Sequence, residues 1–329
     1  MASESLLTAT GLVRHYRLRR RWWLGERHSV VKAVDGVTVE IAPGTTLGLV
    51  GESGCGKTTL GRLLLRLDQP TSGQVTFGGE DWLAKKGEQL RSARKDMQAI
   101  FQDPLGSLDP RRTVGNAIGE ALTAHGLEPD RGARAQRVTE LLQQVGLGAD
   151  VAARYPHELS GGQRQRATIA RAIAVGPKFI VCDEAVSALD VSVQAQIINL
   201  LSDLQDTMDV SYLFISHNLA TVRHLASTVA VMYLGKIVEQ APADEIFTAP
   251  AHPYTVALLA AVPVPDPAAS RAQAASGRLA GDPQSATALP SGCRFRLRCP
   301  RAAAICAEAE PPLSGQPGGH AVACHFPHS

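Results

Sequence analysis

The feature that most constrains this chain of 329 residues is a short glycine-rich stretch, residues 51–58. It reads Gly-Glu-Ser-Gly-Cys-Gly-Lys-Thr, which fits the phosphate-binding pattern G-x-x-x-x-G-K-[ST]. Residues 46–50 form an apolar run typical of a buried strand, and leucines at helical spacing follow in residues 59–67. A strand, a glycine-rich loop and a helix in this order predict an α/β fold with a P-loop.

The residue types of this loop suit the phosphates of a nucleotide. Glycines let bare backbone N–H groups close around phosphate oxygens, and the helix that begins near Lys57 directs its positive end at the same anion. We expect Lys57 to reach the β- and γ-phosphates of ATP and the Thr58 hydroxyl to bind Mg²⁺. A glycine-rich turn without a nucleotide is the alternative interpretation. The predicted ATP-binding residues of the loop are Gly51, Ser53, Gly54, Cys55, Gly56, Lys57, Thr58 and Thr59.

Composition argues against a broad electrostatic attraction to nucleic acid or lipid. The chain has 33 Lys and Arg against 31 Asp and Glu, a formal net charge of +2, so we expect no nucleic-acid partner. No apolar run approaches the ~20 residues of a membrane-spanning helix, and the N-terminus lacks the pattern of a signal peptide. We therefore expect a soluble, cytoplasmic chain. In such a reducing compartment, its six cysteines are more often metal ligands or reactive groups than disulfides.

The chain on either side of the loop divides into distinct segments. Residues 6–13 and 30–41 alternate apolar and polar side chains, which predicts an antiparallel edge sheet. The arginine-rich residues 14–21 between them are interpreted as a solvated hairpin loop rather than a patch for nucleic acid or membrane. Residues 113–151 carry apolar helical faces and predict an inserted helical lobe, and residues 229–238 predict a final hairpin.

Two predicted strands end in residues that suit magnesium and water chemistry. Gln102 follows the strand predicted at residues 98–101, and its side chain can reach a metal ion. Asp183 and Glu184 end the apolar strand predicted at residues 179–184, where charge needs a metal, a proton or solvent. We expect Asp183 to hold the Mg²⁺ shell and Glu184 to polarise the water that attacks the γ-phosphate.

Three further residues are candidates for the same site. Ser160 can cap an alanine-rich helix and leave backbone amides for an anion. His217 follows the strand predicted at residues 212–215, and ligands of open α/β sheets lie at the carboxyl ends of strands. Tyr16, upstream of the P-loop, can stack on an adenine ring. A structural histidine and a packed surface tyrosine are the alternatives for the last two.

Taken in order, these motifs resemble the ATPase subunit of an ATP-binding-cassette (ABC) transporter over residues 6–247. The resemblance implies catalytic roles for Glu184 and His217. It also implies further ATP-binding residues in this chain, outside the P-loop: Tyr16, Gln102, Ser160, Gly161, Gly162 and Gln163. The Mg²⁺ ligands that it implies are Thr58, Gln102 and Asp183.

Four longer sequence segments are similar to those of the oligopeptide and dipeptide importers of that family. They are residues 51–57, 101–111, 187–196 and 252–255. The resemblance implies an ATPase that drives peptide import from the cytoplasmic face of the membrane. It implies three kinds of partner. These are a second, different ATPase subunit in a head-to-tail dimer around two ATP molecules, two transmembrane permease subunits, and an extracytoplasmic substrate-binding protein. This chain is most similar to the second ATPase subunit of the pair.

Other functions stay open at this point. Nickel, glutathione and sugars are alternative substrates, because substrate selection belongs to other subunits. From another class, a soluble cassette ATPase acting on nucleic acid or ribosomes is an alternative. Such proteins normally carry paired cassettes or long inserted coiled coils, and this sequence has neither.

The resemblance divides the chain into an ABC nucleotide-binding domain, residues 1–247, and a C-terminal extension of the oligopeptide-transporter type, residues 248–329. Within the first, a helical subdomain covers about residues 103–160. Residues 262–282 are rich in Pro and Ala and are interpreted as a linker or extended loop.

The extension contains four of the six cysteines: Cys293, Cys299, Cys306 and Cys324. Their spacing lacks the C-x₂-C pairs of a zinc finger, while four thiolates can hold a [4Fe–4S] cluster. A segment this short and polar is expected to need a cross-link. It resembles the C-terminal extension of peptide-importer ATPases, some of which bind such a cluster at matching cysteines. The prediction is a structural [4Fe–4S] cluster, with zinc or free thiols as alternatives; a redox sensor that gates ATP hydrolysis is compatible with it.

Overall fold

The computed structural model describes residues 5–22, 25–102, 104–261, 289–315 and 319–328. They form two compact units whose segments alternate along the chain. Unit 1 contains residues 41–46 and 81–215, and unit 2 contains residues 6–40, 47–80 and those from 216 onwards.

The regular elements of these residues are named in chain order. The strands are β1 (Leu7–Trp22), β2 (Gly25–Ile41), β3 (Thr46–Val50), β4 (Ser72–Phe77), β5 (Glu80–Asp81), β6 (Met97–Ile100), β7 (Phe179–Asp183), β8 (Ser211–Ile215), β9 (Thr228–Tyr233), β10 (Lys236–Pro242), β11 (Ser314–Gly315) and β12 (Ala321–Val322). The helices are α1 (Lys57–Leu64), α2 (Gly87–Ala93), α3 (Pro104–Ser107), α4 (Val114–Ala124), α5 (Arg131–Gln144), α6 (Gly161–Ile173), α7 (Val191–Met208), α8 (Leu219–Leu225), α9 (Ala243–Thr248), α10 (Pro253–Ala260) and α11 (Ile305–Glu308).

Unit 2 contains an antiparallel sheet and a set of strands around the P-loop. In the antiparallel sheet β1 lies between β2 and β4, with Leu7 opposite Phe77. The other strands follow the order β11-β12-β10-β9-β3. In this set β3 runs parallel to β9, with Leu47 opposite Thr228, and β10 runs antiparallel to both β9 and β12. The predicted edge sheet and final hairpin are therefore confirmed.

Unit 1 contains three parallel strands, β6, β7 and β8, with Met97 opposite Phe179 and Phe179 opposite Ser211. Every residue of β7 and β8 is buried. Continuous apolar runs of this kind are typical of parallel strands with both faces covered. Together with α6 and α7 they give the α/β architecture that the sequence predicts.

The predicted helical lobe of unit 1 is confirmed as α4, α5 and a 3-10 turn at Ala149–Ala153. The Thr113 and Asp130 side chains cap the two helices by accepting backbone N–H groups. The helices bury apolar residues at helical spacing. These are Val114, Ile118, Leu122, Val138, Leu141 and Leu142.

One segment differs from its prediction. The arginine-rich residues 14–21 were interpreted as a hairpin loop, but their backbone continues β1 as far as Trp22, and β2 begins at Gly25. Charged side chains are compatible with an extended strand that needs only its backbone groups paired. The predicted linker at residues 262–282 lies outside the described residues. Among the helices that the structure describes, none has the length and apolarity needed to cross a membrane.

Candidate nucleotide-binding site

The P-loop joins β3 to α1, and two of its glycines are required by their surroundings. Gly51 has φ 151° and Gly56 has φ 115°, values that other residues rarely adopt. At Gly51 an added Cβ atom would lie 2.1 Å from the carbonyl oxygen of Met232. At Gly56 it would lie 2.0 Å from the carbonyl oxygen of Ala33. The loop is therefore pressed against the backbones of β9 and β2, and only glycine fits at these two places.

The Lys57 side chain lies inside the loop. The residue is only 4% exposed, and its Nζ atom donates to the carbonyl oxygens of Gly51 at 2.7 Å and Glu52 at 3.0 Å. Thr58, by contrast, is exposed at the first turn of α1. A buried ammonium group held by two carbonyls and followed by an open helix N-terminus is a suitable environment for phosphate.

Cys55 contributes its backbone rather than its thiol. Its side chain is buried, and burial raises the pKa of the thiol, so the group stays neutral. Its carbonyl oxygen accepts the Gly235 N–H at 2.8 Å, which ties the loop to the β9–β10 turn.

A cavity of about 290 Å³ lies beside the loop in unit 2, and it brings Gly51 and His217 together. Leu219, Leu258 and Ala261 also line it. His217 is exposed. The backbone N–H of its neighbour Ser216 donates a hydrogen bond to the carbonyl oxygen of Leu49 in β3 at 3.2 Å. The structure thus places two of the predicted site residues at one opening.

Tyr16 lies in β1 and is half-buried. Its hydroxyl donates to the Asp68 carboxylate at 3.2 Å, and the Arg14 guanidinium lies 4.5 Å from the ring centre. The hydrogen bond from Arg62 lowers the pKa of Asp68, so its carboxylate is a charged partner. One face of the Tyr16 ring is therefore covered by Arg14, and stacking on adenine needs the other face.

The predicted catalytic pair lies in unit 1, where β7 ends. Asp183 is 7% exposed, and Glu184 has φ 48°, a left-handed conformation uncommon for this residue type. Two hydrogen bonds hold the Glu184 backbone. Its N–H donates to the carbonyl oxygen of Ile215 in β8 at 3.0 Å, and its carbonyl oxygen accepts from the Ser187 hydroxyl at 3.0 Å. Strained conformations held in this way are frequent at active sites.

The predicted N-cap of α6 is confirmed. The Ser160 hydroxyl accepts the Gln163 N–H at 3.3 Å, and the Gln163 side chain accepts the Ser160 N–H at 3.0 Å, which completes a capping box. A Cβ atom at Gly162 would lie 2.7 Å from Val193 of α7, and one at Gly161 would lie 3.3 Å from Leu189. Small residues are therefore needed here. Gln102 lies exposed after β6, also in unit 1.

The four cysteines of the extension influence one another. Burial, with smaller contributions from the neighbouring thiols at Cys306, Cys324 and Cys299, raises the pKa of Cys293 to about 11. Among the residues that the structure describes, however, no group of three or more His, Cys, Asp or Glu side chains is placed to hold a metal ion. The predicted cluster is therefore not confirmed.

Other interactions hold the C-terminal segment, which we define as residues 289–315 and 319–328. Arg294 binds Asp35 of β2 and the Leu234 carbonyl. Phe295 packs against the rings of Tyr233 and Tyr254, with ring centres 5.3 and 5.4 Å away. Ion pairs and aromatic rings of unit 2 therefore anchor this segment, whereas the sequence predicts a cross-link among its own cysteines.

No sequence motif indicates Glu52 of the P-loop, or the two residues that bind it, Arg298 and Tyr254, as part of the nucleotide site. Glu52, inside the loop, accepts two hydrogen bonds from Arg298, and its N–H donates to the Tyr254 hydroxyl. Arg298 lies 246 residues further along the chain. No local pattern in the sequence indicates a contact over such a separation.

Comparisons with known proteins show which family this chain belongs to. The ABC transporter family model matches residues 34–187, and the model for the C-terminal region of oligopeptide/dipeptide transporters matches residues 238–306. A probable peptide ABC transporter ATP-binding protein of Sinorhizobium fredii, y4tS, is 50% identical over 98% of this chain and 90% of its own length. The oligopeptide transport ATP-binding protein OppF of Salmonella typhimurium is 47% identical over 97% of this chain and 95% of its own.

A solved structure gives the same result for the fold. The ATP-binding cassette MJ0796, in a dimeric post-hydrolysis state bound to ADP and phosphate, superimposes with a TM-score of 0.64 at 25% identity. The match covers 72% of this chain and 98% of that one. The fold is that of an ABC-type P-loop NTPase with an antiparallel sheet and a C-terminal extension. This chain belongs to the family of ATP-binding subunits of ABC transporters for oligopeptides and dipeptides.

Proposed function

We propose that this chain binds ATP with Mg²⁺ and hydrolyses it to drive the import of di- and oligopeptides. The observation that carries the proposal is the P-loop, where buried Lys57 and the N-terminus of α1 form a phosphate environment. The coupling of hydrolysis to transport is inferred from the family to which the chain belongs. Peptides are the proposed substrate because the two relatives described above are named for peptide transport; nickel, glutathione and sugars are the alternatives.

Within this proposal the loop residues bind the phosphates and Lys57 neutralises their charge. Mg²⁺ would be held by Thr58, Gln102 and Asp183, and it would stabilise the charge that develops on the phosphates. Glu184 orients and polarises the attacking water, and His217 is the second residue with a catalytic role. Tyr16 stacks on adenine by its uncovered face.

The partners follow from the same proposal. A head-to-tail dimer places Ser160, Gly161, Gly162 and Gln163 of one ATPase subunit on the ATP held by the other, so that hydrolysis weakens the dimer. We propose a second, different ATPase subunit, two permease subunits, an extracytoplasmic binding protein and a position at the cytoplasmic face of the membrane. Residues 1–247 would form the nucleotide-binding domain and residues 248–329 the extension.

Substitution Glu184→Gln tests the hydrolytic role. Glutamine keeps the shape but loses the charge, so ATP binding is expected to persist while turnover falls at least a hundredfold. Glu140→Gln, which makes the same change on the exposed surface of α5, should leave both quantities unchanged. Near-normal hydrolysis by Glu184→Gln would refute the assignment.

The substrate is tested on the assembled transporter in vesicles. Di- and oligopeptides, presented with the binding protein, should stimulate ATP hydrolysis and be taken up. Stimulation by nickel, glutathione or a sugar in place of peptides would select the corresponding alternative.

We also propose that Cys293, Cys299, Cys306 and Cys324 bind a [4Fe–4S] cluster. The support is the donor set, because four mutually interacting thiols are the ligands that this cluster takes. The side chains would have to rearrange and lose their protons, since in this structure they are not placed as metal ligands. Anaerobic purification, iron and zinc analysis and absorbance near 400 nm test the proposal. Colourless protein without stoichiometric iron would refute it, and full zinc occupancy would select zinc.

A further inference from the structure

One residue of the P-loop, Glu52, is fixed at three points. Its carboxylate accepts hydrogen bonds from both terminal nitrogens of Arg298, at 2.8 and 2.9 Å. Its backbone N–H donates to the Tyr254 hydroxyl at 2.8 Å. Its backbone carbonyl accepts from Lys57 Nζ at 3.0 Å. Two of the three contacts come from beyond residue 247, and the third comes from the lysine that faces the phosphates.

The pairing of Glu52 with Arg298 is well defined. The Arg298 side chain is 6% exposed and the Glu52 side chain 26% exposed. A two-pronged contact between a guanidinium and a carboxylate fixes orientation as well as charge. Hydrogen bonding to Glu52 raises the pKa of Arg298, so the arginine remains charged.

Tyr254 and Arg298 are themselves held rigidly. Tyr254 is fully buried in α10 and packs on Tyr233 with ring centres 4.6 Å apart. The Arg298 guanidinium lies 6.0 Å from the centre of the Tyr233 ring. The two groups therefore approach Glu52 from one packed cluster.

A negative side chain within a loop that binds ATP needs an explanation. An unpaired Glu52 carboxylate would repel the phosphates, and interactions between charges are stronger in a partly buried site than in water. Arg298 removes this repulsion by neutralising the carboxylate. Together with Tyr254 it also fixes the peptide whose carbonyl accepts the Lys57 ammonium group.

We propose that Arg298 and Tyr254 are positioning residues of the nucleotide site, which they prepare for ATP by orienting Glu52 and neutralising its charge. The inference rests on the proposed ATP-binding function and extends it to the C-terminal segment. It assigns this segment a part in nucleotide affinity, in addition to any role that its cysteines have.

The test measures MgATP affinity of the full-length chain by titration calorimetry. Arg298→Gln leaves Glu52 charged and unpaired, and we expect about a tenfold loss of affinity. Adding Glu52→Gln to this variant removes the orphaned charge and should restore most of the affinity. A residue that serves stability alone would leave the MgATP affinity of the folded variants unchanged.

Arg294→Gln is the matched control. Arg294 is a buried arginine of the same segment, but it binds Asp35 and the Leu234 carbonyl rather than the P-loop. We expect its loss to lower the melting temperature while MgATP affinity stays within twofold of wild type. Should Arg298→Gln fail to fold, Arg298→Lys keeps the charge without the two-pronged contact, and we expect about a threefold loss.

The outcomes separate the inference from the function on which it rests. If wild type binds MgATP and the Arg298 variants bind it equally well, or if Glu52→Gln gives no rescue, the positioning role is refuted while the proposed function stands. If the wild-type chain does not bind MgATP at all, the proposed function fails and the inference fails with it.

Discussion

The P-loop and the C-terminal segment, both in unit 2, are held by different kinds of interaction. The P-loop depends on backbone: Gly51 and Gly56 adopt positive φ and lie against carbonyl groups of neighbouring strands. The C-terminal segment depends on side chains, with Arg294 and Arg298 in ion pairs and Phe295 among aromatic rings. The first region should therefore be sensitive to added volume and the second to lost charge.

The largest expected effect concerns volume in the P-loop. In Gly56→Ala the new Cβ atom would lie 2.0 Å from the Ala33 carbonyl oxygen, so the loop or β2 must move, and we expect MgATP binding to be lost. Gly54→Ala is the matched variant. Gly54 also has positive φ, but a Cβ atom there would meet nothing within 4 Å.

Binding of MgATP by the two variants checks this difference. Strain alone at Gly54 costs about 1–2 kcal/mol, so Gly54→Ala should weaken binding by a smaller factor. Equal losses in both variants would show that conformation, and not the approach of β2, decides the need for glycine.

The next effect concerns charge in the C-terminal segment. Arg294→Gln leaves the Asp35 carboxylate without its buried partner and the Leu234 carbonyl without a donor, which should cost about 2–4 kcal/mol of stability. Glu310→Gln breaks an exposed ion pair of the same segment, to Lys236 at 2.8 Å, and should cost less than about 1 kcal/mol. Denaturant unfolding of both variants measures their losses of unfolding free energy. Similar losses in the two variants would contradict the importance of burial for the Arg294 ion pair.

A smaller effect involves pH. His252 caps α10 through its Nδ1 atom, and burial, with a contribution from His328, lowers its pKa to about 3. Its folded pKa lies below the ordinary value of about 6.5, so an unfolded chain takes up a proton that the folded chain does not. This contribution to stability is complete above pH 6.5 and is lost as the pH falls towards 3.

His252→Asn keeps a capping acceptor and removes the titration. The loss of stability with falling pH should become less steep by about 1 kcal/mol per pH unit over this window. The neighbouring pair of His320 and Glu239 is present in both proteins. His224→Asn, on the exposed surface of α8, is the control, and an unchanged slope in His252→Asn would refute the assignment.

The two regions also differ in how far the sequence predicts them. The P-loop follows from residues close together in the chain, since glycine, lysine and the flanking strand and helix each act locally. The helical lobe was predicted for the same reason, because Ile118, Leu122 and Leu141 show the helical period. The backbone at residues 14–21 was mispredicted, since a run of arginines says little about whether the peptide groups are paired with another strand.

The C-terminal segment could not be predicted in this way. Arg298 meets Glu52 across 246 residues, and neither residue type indicates its partner. The cysteines predict a cross-link within the segment, because the sequence shows only the groups that lie close together in the chain. Its anchors at Asp35, Glu52 and Tyr254 all lie outside it.

The contact between Glu52 and Arg298 also has a consequence for the order of events during synthesis. A ribosome adds about 5–20 residues per second, so the 246 residues between the two take roughly 12 to 50 seconds. Throughout that interval Arg298 has not yet been made, so the Glu52 carboxylate lacks this partner. On the proposed role of Arg298, the site gains its full affinity for MgATP only after this late residue has been made.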